Sequence, residues 1–174
     1  MDLRSFNEFL KDISKYILVV VIVLLIFIFV MGFQQVIGPS MKPTLEEGNI
    51  VIVNKFLYRF SDIKRNDIII ISKNEKYMVK RVVGLPGEKV EYKDNYVIVD
   101  GVTYKENFID TTTVKTNDFS IQDLGYEIIP DNKYLVLGDN REDSLDSRSY
   151  GLIDKQEIIG KAWIRIWPSI NFIK

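Results

Sequence analysis

Hydrophobic positions fall into two regimes along the chain. Residues 16–33, YILVVVIVLLIFIFVMGF, are apolar on every face, with no charge and no proline. As a helix they span roughly 27 Å, close to the ~30 Å hydrocarbon thickness of a bilayer. The pattern predicts a transmembrane signal-anchor helix over 16–33, preceded by a short charged lead-in over 1–15. A buried core helix is the bland alternative, set against a run that is apolar on every face. A cleaved signal peptide would have an apolar run of ~7–15 residues and then a small-residue cleavage site. Here Gln34, Gln35 and Val36 follow instead.

After residue 34 the period shortens. NIVIVNKF, DIIIISK, KYMVKRVVG, KVEYKDNYVIVDGVTYK, KYLVLGD and IGKAWIRIW are β-branched or aromatic runs bounded by Gly, Asn, Asp and Pro. They predict strands, with tight turns at KDN and VDG. No segment beyond residue 34 shows a long helical period. Residues 109–124, IDTTTVKTNDFSIQDL, are polar and Thr-rich and read as a long surface excursion. The expected architecture is mostly β: one membrane helix, then one β-rich domain over 34–174.

Basic residues near the apolar run set its orientation. Arg4, Lys11 and Lys15 precede it, and the first after it is Lys42. The N-terminus is expected in the cytoplasm and the β domain outside, on a single-pass protein of the plasma membrane. NKFLYRF, residues 54–60, interleaves aromatic and basic side chains. Its bland reading is a strand with one solvated face, and its functional reading, shared with Trp163 and Trp167, is a patch resting on the lipid bilayer.

Composition narrows the chemistry. The 174 residues carry a formal net charge of −1, which gives no electrostatic case for nucleic acid. There is no Cys and no His. That removes thiol chemistry, Cys/His zinc sites, disulfides and any Ser-His-Asp triad. The acidic stretch GDNREDSLDS fails as an EF-hand calcium loop, because the third and sixth positions from Asp139 hold Arg141 and Ser144.

VIGPSMKPTLEEG presents Ser40 between Pro39 and Pro43, which restrict the backbone on both sides. A serine needs a base, and with no His the candidates are Asp, Glu, Tyr and Lys, of which lysine works only if it is neutral. Lowering a lysine from ~10.4 to ~8 takes about 3.3 kcal/mol, which burial can supply. In KYMVKRVVGLPGE, strand alternation puts Met78, Lys80 and Val82 on one face, and Val79, Arg81 and Val83 on the other. Alternation does not choose the inward face. If it is that of Lys80, Arg81 can reach solvent; Arg81 is equally eligible as the buried member.

The order GPSMKPTL, KRVVGLPGE, GDNREDSLDSRSYG resembles the type I signal peptidases, the Ser-Lys proteases that cut signal peptides from exported preproteins. The resemblance runs from the anchor to IGKAWIRIWP. It implies an antiparallel β catalytic domain, Ser40 as nucleophile and Lys80 as general base. It also implies Ser144 as a hydroxyl holding the lysine amine, with Asp146 and Arg148 as a supporting acid–base pair, and no metal and no organic cofactor. Gly38 stands where some Gram-negative relatives carry a serine that donates to the oxyanion, as is often so in Gram-positive relatives. The Ser40 N–H is then one donor, and a main-chain N–H is the expected second.

The resemblance further implies preproteins with small residues at the first and third positions before the cut. Val36, Ile37, Met41, Leu45, Met78 and Val79 are the expected lining of the pockets for them. A monomer is expected, though the sequence does not fix the oligomeric state. Three alternatives stay open from the residues alone: a self-cleaving repressor-type Ser-Lys protein, an anchored binding domain without activity, and a peptidase dedicated to one substrate class.

Overall fold

The computed structural model describes residues 3–73, 75–110 and 113–173. Its N-terminal helix α1 runs Leu3–Val30. The lead-in and the apolar run are therefore one continuous helix, apart from residues 1 and 2 of the predicted 1–15 segment, which lie outside the described residues. The stretch Phe9–Val30 is long and apolar enough to cross a membrane. The helix stops three residues short of the predicted 33. Met31–Gln35 turn into strand β1, which pairs at once with β2 (Ile50–Asn54). An apolar run continuous with the helix concealed that change.

A helical turn, α2 (Leu57–Phe60), follows, so NKFLYRF is only partly strand. Then come β3 (Ile68–Lys73), β4 (Lys76–Gly84), β5 (Val90–Lys93), β6 (Tyr96–Val99) and β7 (Val102–Tyr104). Both predicted tight turns form. Asp94–Asn95 and Asp100–Gly101 have positive φ at each residue, as two-residue hairpin loops that match strand twist require. The chain finishes with β8 (Phe119–Ser120), β9 (Lys133–Leu137), α3 (Ser147–Tyr150), β10 (Ile153–Asp154), β11 (Ile158–Trp167) and β12 (Asn171–Phe172).

The excursion 109–124 is better anchored than its composition suggests. Residues 111 and 112 lie outside the described residues. The remainder holds β8 and a 3-10 turn over Ile121–Leu124 capped by Ser120, and it buries Ile109, Thr116 and Ile121.

All strand pairings are antiparallel. The larger sheet runs β1-β2-β11-β3-β4-β9-β10, with β12 on β11, and the smaller runs β7-β6-β5-β8. β4 lies inside the larger sheet and is covered on both faces. Val79, Ile68 and Ile70 pack with Met41, Leu45, Val51 and Val53. Met78, Val82, Ile69 and Ile71 pack with Tyr134, Val136 and Ile153. The predicted split of faces along β4 is thus present, but both faces are interior. Arg81 does not reach solvent: it is fully buried, as is Lys80.

Candidate active site

The 36–49 loop folds back on itself directly after β1. Val36 N donates to Asn49 O at 2.8 Å, and Gly48 N to Val36 O at 2.9 Å. Gly38 takes a left-handed φ of 78° that disfavours a side chain. Lys42 N donates to Pro39 O at 3.0 Å and closes a turn around Ser40. Met41 and Leu45, buried on either side of this turn, pin it to the core. Ser40 is left half-buried, at the end of a loop fastened by its apolar neighbours.

Lys80 approaches from β4, where Ile69 is its cross-strand partner. It is 2% exposed. Its Nζ donates to Ser40 Oγ at 2.8 Å and to Ser144 Oγ at 3.3 Å. Burial brings its pKa down from 10.5 to about 8, partly offset by Asp146 and Asp139 and aided by Arg148.

The third motif leaves β9 at Gly138. A Cβ there would overlap Ser144 Oγ and the Ser40 carbonyl, so only glycine lets the two loops close on each other. Asn140 N donates to Ser40 O at 3.0 Å. Asp146 is fully buried, caps α3, and accepts from Gly138 N at 3.0 Å and from Arg148 Nε and Nη2 at 2.9 and 2.8 Å. Burial alone would raise its pKa, but the Arg148 and Gly138 bonds outweigh it and hold the carboxyl below its ordinary value.

Ser40, Lys80, Ser144, Asp146 and Arg148, drawn from three separate stretches of sequence, therefore meet at one place. The six residues expected to line substrate pockets do not form one open surface. Val36, Met41, Leu45 and Val79 are interior members of one apolar cluster, and Met78 packs in another on the opposite face of β4. Among the six only Ile37, at 76% exposure, projects freely.

Sequence reasoning missed a second buried ion pair at the site. Arg81 Nε and Nη2 donate to the Asp139 carboxylate at 2.8 and 2.7 Å, and Nη1 to Asn66 O at 3.0 Å. Thr44, four residues after Ser40, donates to Asp139 at 2.5 Å. The available signal was an arginine flanked by valines, which a strand tolerates inside only with a partner. Nothing in the sequence pointed to a carboxylate 58 positions away.

Three comparisons bear on this arrangement. The family model for signal peptidase, peptidase S26, matches residues 9–167. Signal peptidase IB of Staphylococcus aureus (strain Mu50) is 37% identical over 95% of this chain and 93% of its own. Signal peptidase I of Bacillus caldolyticus is 40% identical over 83% of this chain and 84% of its own. Among solved structures, a signal peptidase I from Enterococcus faecalis V583 is similar at a TM-score of 0.55 and 33% identity, covering 58% of this chain and 97% of that one. A single apolar helix followed by antiparallel sheets fits the same class and fits anchoring in a membrane. Matched along nearly its whole length, the chain belongs to the signal peptidase family, peptidase S26, and is a serine peptidase.

Proposed function

We propose that this peptidase removes signal peptides from exported preproteins with Ser40 as nucleophile and Lys80 as general base. The observation that supports this most directly is the 2.8 Å contact between Ser40 Oγ and the Nζ of a buried lysine. When Lys80 is neutral the bond reverses: Ser40 O–H donates to the amine lone pair, and the proton moves to Lys80 as Oγ attacks the scissile carbonyl. Lys80, now protonated, gives that proton to the leaving amine. Neutral again, it takes a proton from the water that hydrolyses the acyl-enzyme. Ser144 Oγ keeps the amine aligned, while Asp146 and Arg148 hold the loop that carries Ser144. The Ser40 N–H is one donor to the developing oxyanion, a role worth roughly 2.7–4 kcal/mol per donor.

In this reading residues 1–15 are cytoplasmic, the apolar helix spans the plasma membrane, and residues 34–174 act outside it. The short path from helix to nucleophile sets Ser40 near the membrane surface, where an anchored preprotein presents its cleavage site. Exposed Phe33, Trp163, Trp167 and Phe172 on β1, β11 and β12 form an aromatic face suited to resting on headgroups. Substrate residues before the cut are small because the neighbouring apolar residues are packed rather than recessed. Of the six residues expected to line the pockets, exposed Ile37 is the one placed to touch a bound peptide, while Val36, Met41, Leu45 and Val79 are packed inside the core beneath the loop and Met78 lies on the other face of β4.

The test is cleavage of a preprotein with an alanine-x-alanine site in detergent or liposomes by wild type, Ser40→Ala and Lys80→Met. Cleavage lost in both variants supports the pair, and cleavage retained in folded Lys80→Met removes Lys80 as the base. The pH dependence is a second check. Because the neutral amine is the working form, kcat/KM rises about tenfold per pH unit up to about pH 8 and then levels off. A profile already flat from pH 6 upwards is incompatible with this base.

A further inference from the structure

The segment between β7 and β8 reaches back to the site at a place that the mechanism above does not use. Arg141, in the third motif, is buried, and so are Glu106, Thr116 and Tyr92, which surround it. Arg141 Nη1 and Nη2 donate to the two Glu106 oxygens at 3.0 and 2.6 Å. Nη1 also donates to Thr116 Oγ1 at 3.1 Å, and Tyr92 OH donates to Glu106 at 2.9 Å. The remaining guanidinium nitrogen points the other way: Arg141 Nε donates to the Gly138 carbonyl at 3.0 Å. The Arg141 carbonyl in turn accepts from Arg148 Nη2 at 2.8 Å. Gly138 is the residue wedged between Ser144 and the Ser40 carbonyl.

A short chain of bonds therefore runs from Glu106 through Arg141 to the backbone that sets Ser144 against Lys80. A second contact from the same segment lies beside it, where the Arg81 guanidinium stacks on the Phe108 ring at 3.7 Å. We propose that Glu106 is a positioning residue for the Ser40–Lys80–Ser144 site, acting through the bidentate hold on Arg141 that fixes Gly138 and Ser144. The proposal rests on the Ser-Lys reading above. Glu106 touches neither nucleophile nor base, and its effect is geometric: two charge-assisted bonds keep the planar fork of Arg141 from rotating off the Gly138 carbonyl. A carboxamide in its place keeps the size but offers one acceptor and a donor that faces other donors.

The test uses the full chain in detergent, a preprotein substrate, and four variants: Glu106→Gln, Ser144→Ala, the double variant, and Ser40→Ala. Glu106→Gln is expected to lower kcat roughly tenfold with KM unchanged, less than the ~100-fold that a misplacement of ~1 Å can cause. In the Ser144→Ala background the same change is expected to lower kcat by less than about twofold, because what Glu106 holds in place is already missing. Fully additive losses, an unchanged kcat, or a change confined to KM each overturn the proposal and leave the ion pair with a role in stability alone. If Glu106→Gln does not fold, Arg141→Lys decides. It keeps the positive charge but cannot hold both Glu106 oxygens and the Gly138 carbonyl at once, and a kcat equal to wild type then overturns the proposal. Ser40→Ala keeps the two readings apart: inactive Ser40→Ala beside fully active Glu106→Gln removes only the positioning role, whereas active Ser40→Ala removes the nucleophile assignment itself.

Discussion

Lys80→Met yields a chain that is inactive and more stable than the wild type. Loss of activity follows from the proposed role of Lys80, whose amine is bonded to Ser40 Oγ, and removing one member of such a unit lowers kcat by about 10^4-fold or more. The gain in stability follows from the sign of the pKa change. The folded chain holds Lys80 at about 8, while the unfolded chain holds it at its ordinary 10.5. Below pH 8 folding must bury a protonated amine, a penalty of about 3 kcal/mol for that difference. The penalty is fully present below pH 8, shrinks as pH rises toward 10.5, and is absent above. Met fills the same space without charge, so the melting temperature of Lys80→Met is expected to exceed that of wild type at pH 7, with the gap closing by about pH 10.5. Equal melting temperatures at pH 7 would mean that Lys80 is not desolvated in the folded chain.

Breaking the Arg81–Asp139 pair has the opposite effect. Both side chains are essentially without solvent exposure. Asp139→Ala leaves a buried guanidinium without the carboxylate that pairs with it. Removing one partner of a buried pair typically costs about 3–5 kcal/mol. For a chain of this size that lowers the melting temperature by roughly 10 °C, measurable by circular dichroism in detergent. Replacing both partners together, Arg81→Met with Asp139→Leu, is expected to recover most of the loss, since a packed apolar pair needs no counter-charge. Activity should not return in parallel. Thr44 loses Asp139 in either variant, and with it one tie between the nucleophile loop and the third motif, and the double variant also takes Arg81 away from Asn66.

Much of this molecule was legible from residue order. The long strands could be read because β-branched runs such as DIIIISK and KYLVLGD end at turn residues. Two-residue strands such as β8, β10 and β12 carry no period to read, and β1 was hidden inside the apolar run of α1. The excursion looked fully solvated because its buried residues, Ile109, Thr116 and Ile121, are scattered among exposed Thr, Asp and Lys. At the site, alternation separated Lys80 from Arg81 but could not choose between them. A strand covered on both faces has two interiors, and both residues are buried in one. Motif resemblance, not periodicity, singled out Ser40 and Lys80. The partners 58 and 35 positions apart, Arg81–Asp139 and Glu106–Arg141, depend on topology that a single sequence does not display.

The position of β11 bears on when the peptidase acquires its power to cut. Ser40 follows β1 at one edge of the larger sheet, and Lys80 lies on β4. Between them β11 is inserted, hydrogen-bonded to β2 on one side and to β3 on the other. It is the last long strand in the chain, and the ribosome must pass Trp167 before it is complete. From residue 80 onward a growing polypeptide therefore carries the proposed nucleophile and base, for about half of its synthesis, without the strand that joins their halves of the sheet. The proposed Ser40–Lys80 pair is then expected to be assembled only near the end of translation.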